Sequence, residues 1–264
     1  MLTQSSAGQN ASLPAPDLEL VNYGAGHAWF RAELDAAIRD ADQVHESLTR
    51  LLDRRPEPQP APEPEDPRFA LTDLGRRVIA ELEKLGVMVD LAHASDPLFW
   101  DALRAAKKPV LVSHSSSRAL TNHPRNLTDA QLTAVARNGG AACVNFSRGF
   151  IDDAFRKAAI PVANRTRDLR TSERRKAFVA AGLPDVPVER LLDHVEHMVA
   201  VAGADHVCLG SDFDGVPMLP VGLEDVSKLP VITAGLLRRG MPRPDVEKIL
   251  GLNVLRVLEA NERR

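Results

Sequence analysis

Three features of this 264-residue sequence predict an α/β fold, a parallel sheet covered by helices. Short apolar runs alternate with longer stretches of helical periodicity from about residue 72 onward. The runs VMVDLAH (Val87–His93), PVLVSH (Pro109–His114) and HVCLGSD (His206–Asp212) have the length of buried strands. Each also ends on a residue that can bind a metal or move a proton, and parallel strands bring their C-terminal ends together on one face.

Residues 1–20 are polar and irregular. Residues 28–54 place Phe30, Leu34, Ile38, Val44, Leu48 and Leu51 at helical spacing, which predicts an amphipathic helix. Residues 56–67 hold six prolines and four acids and predict an extended, solvated connector. Three regions result: coil and helix over 1–55, the connector over 56–67, and the α/β region over 68–264.

Within the last region a helix starts near Thr72–Asp73 and stops at Gly86, a residue suited to the left-handed C′ position. Strand 87–92 follows, and Ser95 then caps a helix with Pro97 in its first turn. Strand 109–113 precedes a loop and a helix opened by Thr128 and Gln131 at capping-box spacing. Strand 141–146 leads into a long charged insertion over roughly residues 147–186. An amphipathic helix over 187–202, strand 206–210 and two helices near 228–239 and 244–261 complete the pattern. That makes about four strand–helix units, whereas a closed (β/α)8 barrel of TIM type needs eight at roughly 30 residues each. The chain thus reads as the C-terminal half of such a barrel, preceded by a helical segment.

Hydrophobic residues make up 44% of the chain and aromatics 4%, so its core is aliphatic. A net charge of −3 gives no electrostatic reason for binding nucleic acid or an anionic membrane. No apolar run approaches the roughly 18 residues of a spanning helix. The first 30 residues lack a basic start followed by an apolar core, so no signal peptide is expected. Cys143 and Cys208 lie inside predicted strands without CxxC spacing and read as buried free thiols, which fits a cytoplasmic protein.

At the strand ends His93, His114 and Asp212 supply two imidazoles and a carboxylate, a set that suits a metal-dependent hydrolase. A catalytic zinc takes three protein ligands plus water, so two histidines make at most a partial site. Asp90, inside a strand, reads as a buried hydrogen-bonded carboxylate, and Asp214 as a turn cap beside Asp212. His194 and His197 share a helix with Asp193 and Glu196 and read as a solvent-edge face. His27, His45, His123 and His206 read as structural or exposed. Ser115, Ser116 and Ser117 lack the Gly-x-Ser-x-Gly elbow of a serine hydrolase, and no phosphate-cradling glycine motif is present.

From about Leu71 to the C-terminus, about three-quarters of the chain, the sequence resembles the membrane (renal) dipeptidase family of zinc peptidases. The matching blocks are LTDLGRRVIAELEKLGVMVDLAHAS (71–95), KPVLVSHSSSRAL (108–120), HPRNLTD (123–129), GGAACVNF (139–146), VAGADHVCLGSDFDGVPMLPVGLEDVSKLP (201–230) and ILGLNVLRVLE (249–259). The resemblance implies a (β/α)8 barrel that hydrolyses dipeptides with a metal-bound hydroxide at a two-zinc centre. By the same resemblance His93 and His114 are the histidine ligands of one zinc, and Arg125 in HPRN holds the substrate's carboxylate. Asp212 in GSDFDG manages the proton during attack and leaving-group departure.

Family members also carry a His-x-Asp pair after the first strand, a metal-bridging Glu in a Glu-Gly-Gly-His stretch, and a carbonyl-polarising His. None of these stands before residue 71, and Gly24-Ala25-Gly26-His27 lacks the glutamate. The partners expected are a dipeptide substrate together with a homo-oligomer or a separately encoded N-terminal half. The rival reading is a catalytically inert half-barrel serving as a binding or assembly module.

Overall fold

The structure, a computed structural model, describes residues 71–262. The helix expected over 28–54 and the connector over 56–67 lie outside the described residues. The elements run α1 (Asp73–Lys84), α2 (Asp96–Ala105), β1 (Leu111–Ser115), α3 (Asp129–Asn138), β2 (Ala141–Asn145), α4 (Arg148–Ile151), α5 (Asp153–Arg165), α6 (Thr171–Ala180), α7 (Val188–Ala202), β3 (Val207–Gly210), α8 (Pro230–Arg238), α9 (Arg243–Glu247) and α10 (Asn253–Asn261). No helix among them is long and apolar enough to cross a membrane.

The three strands form one parallel sheet in the order β1-β2-β3. β2 lies between the other two and is buried at every residue, which is why its sequence reads as a nearly unbroken apolar run. Strand alternation divides the side chains between two faces. Ala142 and Val144 pair with Val207 and Leu209 on the face that packs against Leu132 and Val135 of α3, Leu191, Val195 and Met198 of α7, and Ile232 of α8. Ala141, Cys143 and Cys208 point the other way and meet Val257 of α10.

Cys143 and Cys208 stand directly opposite each other across β2 and β3 and form a disulfide, which overturns the reading of two free thiols. Sequence position alone did not reveal that the strands bring these two residues into register. Disulfides persist in oxidising compartments, so the thiols no longer argue for a cytoplasmic location.

The helix starts follow local chemistry. The Thr72 hydroxyl accepts from Gly75 N and that of Ser95 from Leu98 N, while Thr128 and Gln131 cap each other reciprocally. The strand expected over 87–92 is reduced to one bridge, Asp90 to Leu111. Leu111 N donates to Val89 O and Leu91 N to Leu111 O, so the ladder begins normally. The next rung would take Ser113 N to the Leu91 carbonyl. Ser113 N donates instead to the Asp90 carboxylate at 3.0 Å, and the ladder stops.

The charged insertion is helical, comprising α4, α5 and α6. The helix expected over 244–261 is split by a π turn at Lys248–Leu252. Beyond it, α10 lies across the N-terminal ends of the strands. Asn253 Nδ2 donates to Ala204 O and Val207 O, Arg256 Nη1 to Gly139 O, and Asn261 Nδ2 to Pro109 O. The opposite ends of the strands are left for the site.

Candidate metal and substrate site

The sheet delivers the expected residues to its C-terminal edge. His114 lies in β1, and His93 follows the Asp90 bridge by three residues; their Nε2 atoms are 2.9 Å apart. The β1–β2 register runs from Val112↔Ala142 to Ser115↔Val144, three steps against two, so His114 sits in a bulge that re-aims its side chain. The bulge turns the Ser113 carbonyl toward β3, where a Cβ on Gly210 would lie 1.9 Å from that oxygen. Only glycine fits there.

Ser113 Oγ donates to Asp90 Oδ2 at 2.5 Å and lies 2.7 Å from His114 Nδ1. Asp90 also accepts from Ala92 N. It is hydrogen-bonded as expected but exposed rather than buried, because an edge bridge leaves one side of it open.

Arg125 Nε donates to Ala92 O at 2.8 Å, and its Nη2 stands 3.3 Å from His114 Nε2. Partial burial, then the positive charge of Arg125 and the neighbouring His114, hold the His93 pKa below the usual imidazole value. Burial also pulls the Arg125 pKa below its ordinary value, opposed by Asp212 and Asp90. Neither effect removes the guanidinium charge near neutral pH.

Asp212 follows β3 by two residues and has φ 53°, the one positive φ at a non-glycine residue among the described residues. Its carbonyl accepts from Gly215 N and Val216 N, closing the turn, and Asn145 Nδ2 donates to its carboxylate at 3.4 Å. A Cβ on Gly215 would lie 2.0 Å from Asp212 Oδ1, so the carboxylate is packed over this glycine and a larger residue would have to push it aside. Backbone held in this region is concentrated at functional sites. Asp214 is exposed, and the carbonyl of Asp212 closes the turn that Asp214 was expected to cap.

His93, Arg125 and Asp212 line one cavity of about 440 Å³, and His114 touches both His93 and Arg125 from its edge. The other walls are residues the sequence did not assign to the site, among them His123, which read as structural or exposed. His123 stacks on Phe150 with ring centroids 4.1 Å apart, and its Nδ1 accepts from Arg125 N. Burial first, then Arg125, pushes the His123 pKa down to about 4. Its place in HPRN was the available signal. Phe150, Arg156 and Arg174 come from the insertion, where charge without clear periodicity gave none.

The polar residues behind this surface are scaffold. Buried Asn126 accepts from Ser116 N and donates to Ser117 O, Thr121 O and Phe150 O. Ser115 and Ser116 are buried and donate to Arg125 O and Asn145 O. His194 is buried to 1% exposure, which corrects the solvent-edge reading for that residue. Its Nδ1 accepts from Ser117 N at 3.1 Å, because the loop after β1 folds onto α7. His197, one turn away, meets Asp129 at 2.8 Å.

Two nitrogens bound to one tetrahedral zinc stand about 3.3 Å apart at the usual bond length. The 2.9 Å between the two Nε2 atoms is a hydrogen-bond distance and somewhat shorter than that, so the rings would part slightly to share an ion. Among the described residues no group of three or more His, Cys, Asp or Glu is placed to hold a metal, so the pair fits half a coordination shell.

Residues 59–264 match the family model described as membrane dipeptidase (peptidase family M19). An uncharacterized dipeptidase of Schizosaccharomyces pombe is 39% identical over 197 residues, 74% of this chain and 41% of that protein. Dipeptidase tcpJ of Claviceps purpurea is 38% identical over 193 residues, 73% of this chain and 39% of that protein. A metallo peptidase from Rhodobacter sphaeroides, liganded with a phosphinate mimic of the dipeptide L-Ala-D-Ala, has a similar structure. Its TM-score is 0.60 at 30% identity, covering 73% of this chain and 48% of that one. The chain therefore spans about two fifths of the length of these curated relatives and about half of the solved chain. On the extent of these matches, the chain belongs to the membrane dipeptidase family of metallopeptidases.

Proposed function

We propose that this chain carries the histidine pair, the carboxylate clamp and the proton-handling acid of a zinc-dependent dipeptidase site. The observation that carries the reading is the convergence of His93, His114, Arg125 and Asp212 at the C-terminal ends of parallel strands. The relatives named dipeptidases support it. We read the sheet, with the Asp90 bridge as a vestigial fourth strand, as the C-terminal half of a (β/α)8 barrel. Coverage of about half the solved relative agrees with that.

His93 and His114 would hold one zinc through Nε2. When bound, zinc lowers the pKa of a coordinated water toward neutrality and polarises a carbonyl. Arg125 spends Nε on Ala92; a zinc on His114 Nε2 would take the lone pair that now accepts from Arg125 Nη2, leaving both Nη1 and both Nη2 protons for a carboxylate. A free carboxylate held there, next to the histidines, restricts substrates to short peptides. Asp212, with one oxygen held by Asn145, takes a proton from the attacking water and returns it to the departing amine. The remaining metal donors come from outside the described residues, in this chain or in a partner.

The lack of a three-donor group among the described residues favours a second reading, an inert binding module. Incubation of the purified chain with zinc and Ala-Ala separates the two. Zinc-dependent release of alanine, lost in His114→Ala and in Asp212→Asn, is the expected result. Zinc binding without turnover points to the inert module, and absence of both ends the metal-site reading.

A further inference from the structure

The cavity beside the histidine pair carries more positive charge than a single carboxylate clamp requires. Arg125, Arg156 and Arg174 line it, and Asp212 is the one acidic side chain among the described residues of its wall. Arg156 is neutralised by Asp153, with Nε 2.9 Å from Oδ1. Arg125 is engaged by Ala92 O and His114.

Arg174 differs from both. Its Nε is buried and has no hydrogen-bond partner, and no ion pair among the described residues involves it. The adjacent Arg175 donates from Nη2 to Phe213 O and Val216 O, at 3.1 and 3.3 Å, and so ties α6 to the turn that holds Asp212. A buried guanidinium N–H without an acceptor is unfavourable until a ligand supplies one.

We infer that Arg174 is a specificity-determining residue that binds a second carboxylate, so that the site prefers dipeptides bearing an acidic side chain. The inference rests on the dipeptide reading above: Arg125 takes the terminal carboxylate and Arg174 the one on the side chain.

Isothermal titration of the full, metal-free chain with Ala-Glu against Ala-Gln, and with Glu-Ala against Gln-Ala, tests it. Within at least one pair the acidic dipeptide should bind about tenfold more tightly than its amide. That ratio should fall toward one in Arg174→Gln and recover in part in Arg174→Lys. Equal affinities within both pairs, or a preference that survives Arg174→Gln, would overturn the inference and leave the dipeptide reading in place. If none of the four dipeptides binds, both fall together.

Discussion

The protons around His114 can be counted, and the count shows what the site is prepared to hold. A guanidinium only donates, so the approach of Arg125 Nη2 makes His114 Nε2 an acceptor. The ring proton then sits on Nδ1 and goes to Ser113 Oγ, whose own proton goes to Asp90 Oδ2. This relay keeps the ring proton on Nδ1, so the single Nε2 lone pair, which here accepts from Arg125, is what a metal would take in its place. Ser113→Ala removes the middle link and is expected to weaken zinc binding by about tenfold to a hundredfold. Titration against a competing chelator reads this, and an unaltered affinity would dismiss the relay. His194 gives a second residue-level expectation. Burial lowers its folded pKa from 6.5 to about 4, so as pH falls the unfolded chain takes up the proton first. The stability it contributes is present above pH 6.5 and lost progressively toward pH 4, roughly 3 kcal/mol in all. Urea unfolding at pH 7.5 and 5 should show a steeper loss in the parent than in His194→Gln, and parallel losses would contradict the assignment.

Single elements are held by two close approaches across the sheet. Gly210→Ala would drive a methyl to within 1.9 Å of the Ser113 carbonyl, and rigid backbone cannot yield as a side chain can. A loss of about 1–3 kcal/mol or more is expected, read as a lower urea midpoint; an unchanged midpoint would mean that the bulge in β1 is soft. The Cys143–Cys208 bond closes a separation of 65 residues, for which the chain-entropy account gives about 4 kcal/mol. Reduction should lower stability by that order, and two titratable thiols in the denatured, unreduced chain would contradict the bond. These cases also mark where sequence reading stops. The caps at Thr72, Ser95 and Thr128 were legible because donor and acceptor lie within three residues of each other. The bulge at His114, the disulfide register and the truncated strand at Asp90 depend on contacts between elements, which local pattern does not encode. The same division applies to the site. His93, His114, Arg125 and Asp212 stand in ordered blocks, whereas Arg174 lines the cavity from α6, which Arg175 ties to the turn after β3.

At the scale of the molecule, α10 covers the N-terminal ends of the strands and the insertion helices wall the cavity at the other ends, so any ligand meets the histidine pair from the C-terminal side. How firmly a metal is held there follows from the number of donors. Complete structural zinc sites bind with about 10–16 kcal/mol. Half the donors should leave on the order of 5–8 kcal/mol, a Kd of about 1–200 µM. One zinc per chain in that range is therefore expected, and it should disappear in His93→Ala. Because such a metal binds only the folded chain, 1 mM zinc at a Kd of 10 µM should raise unfolding stability by about 2.7 kcal/mol, and the histidine variant should abolish the increment. Two zinc ions bound at nanomolar affinity would refute the two-imidazole account, and the missing ligands would then have to be sought beyond residues 71–262 of this same chain.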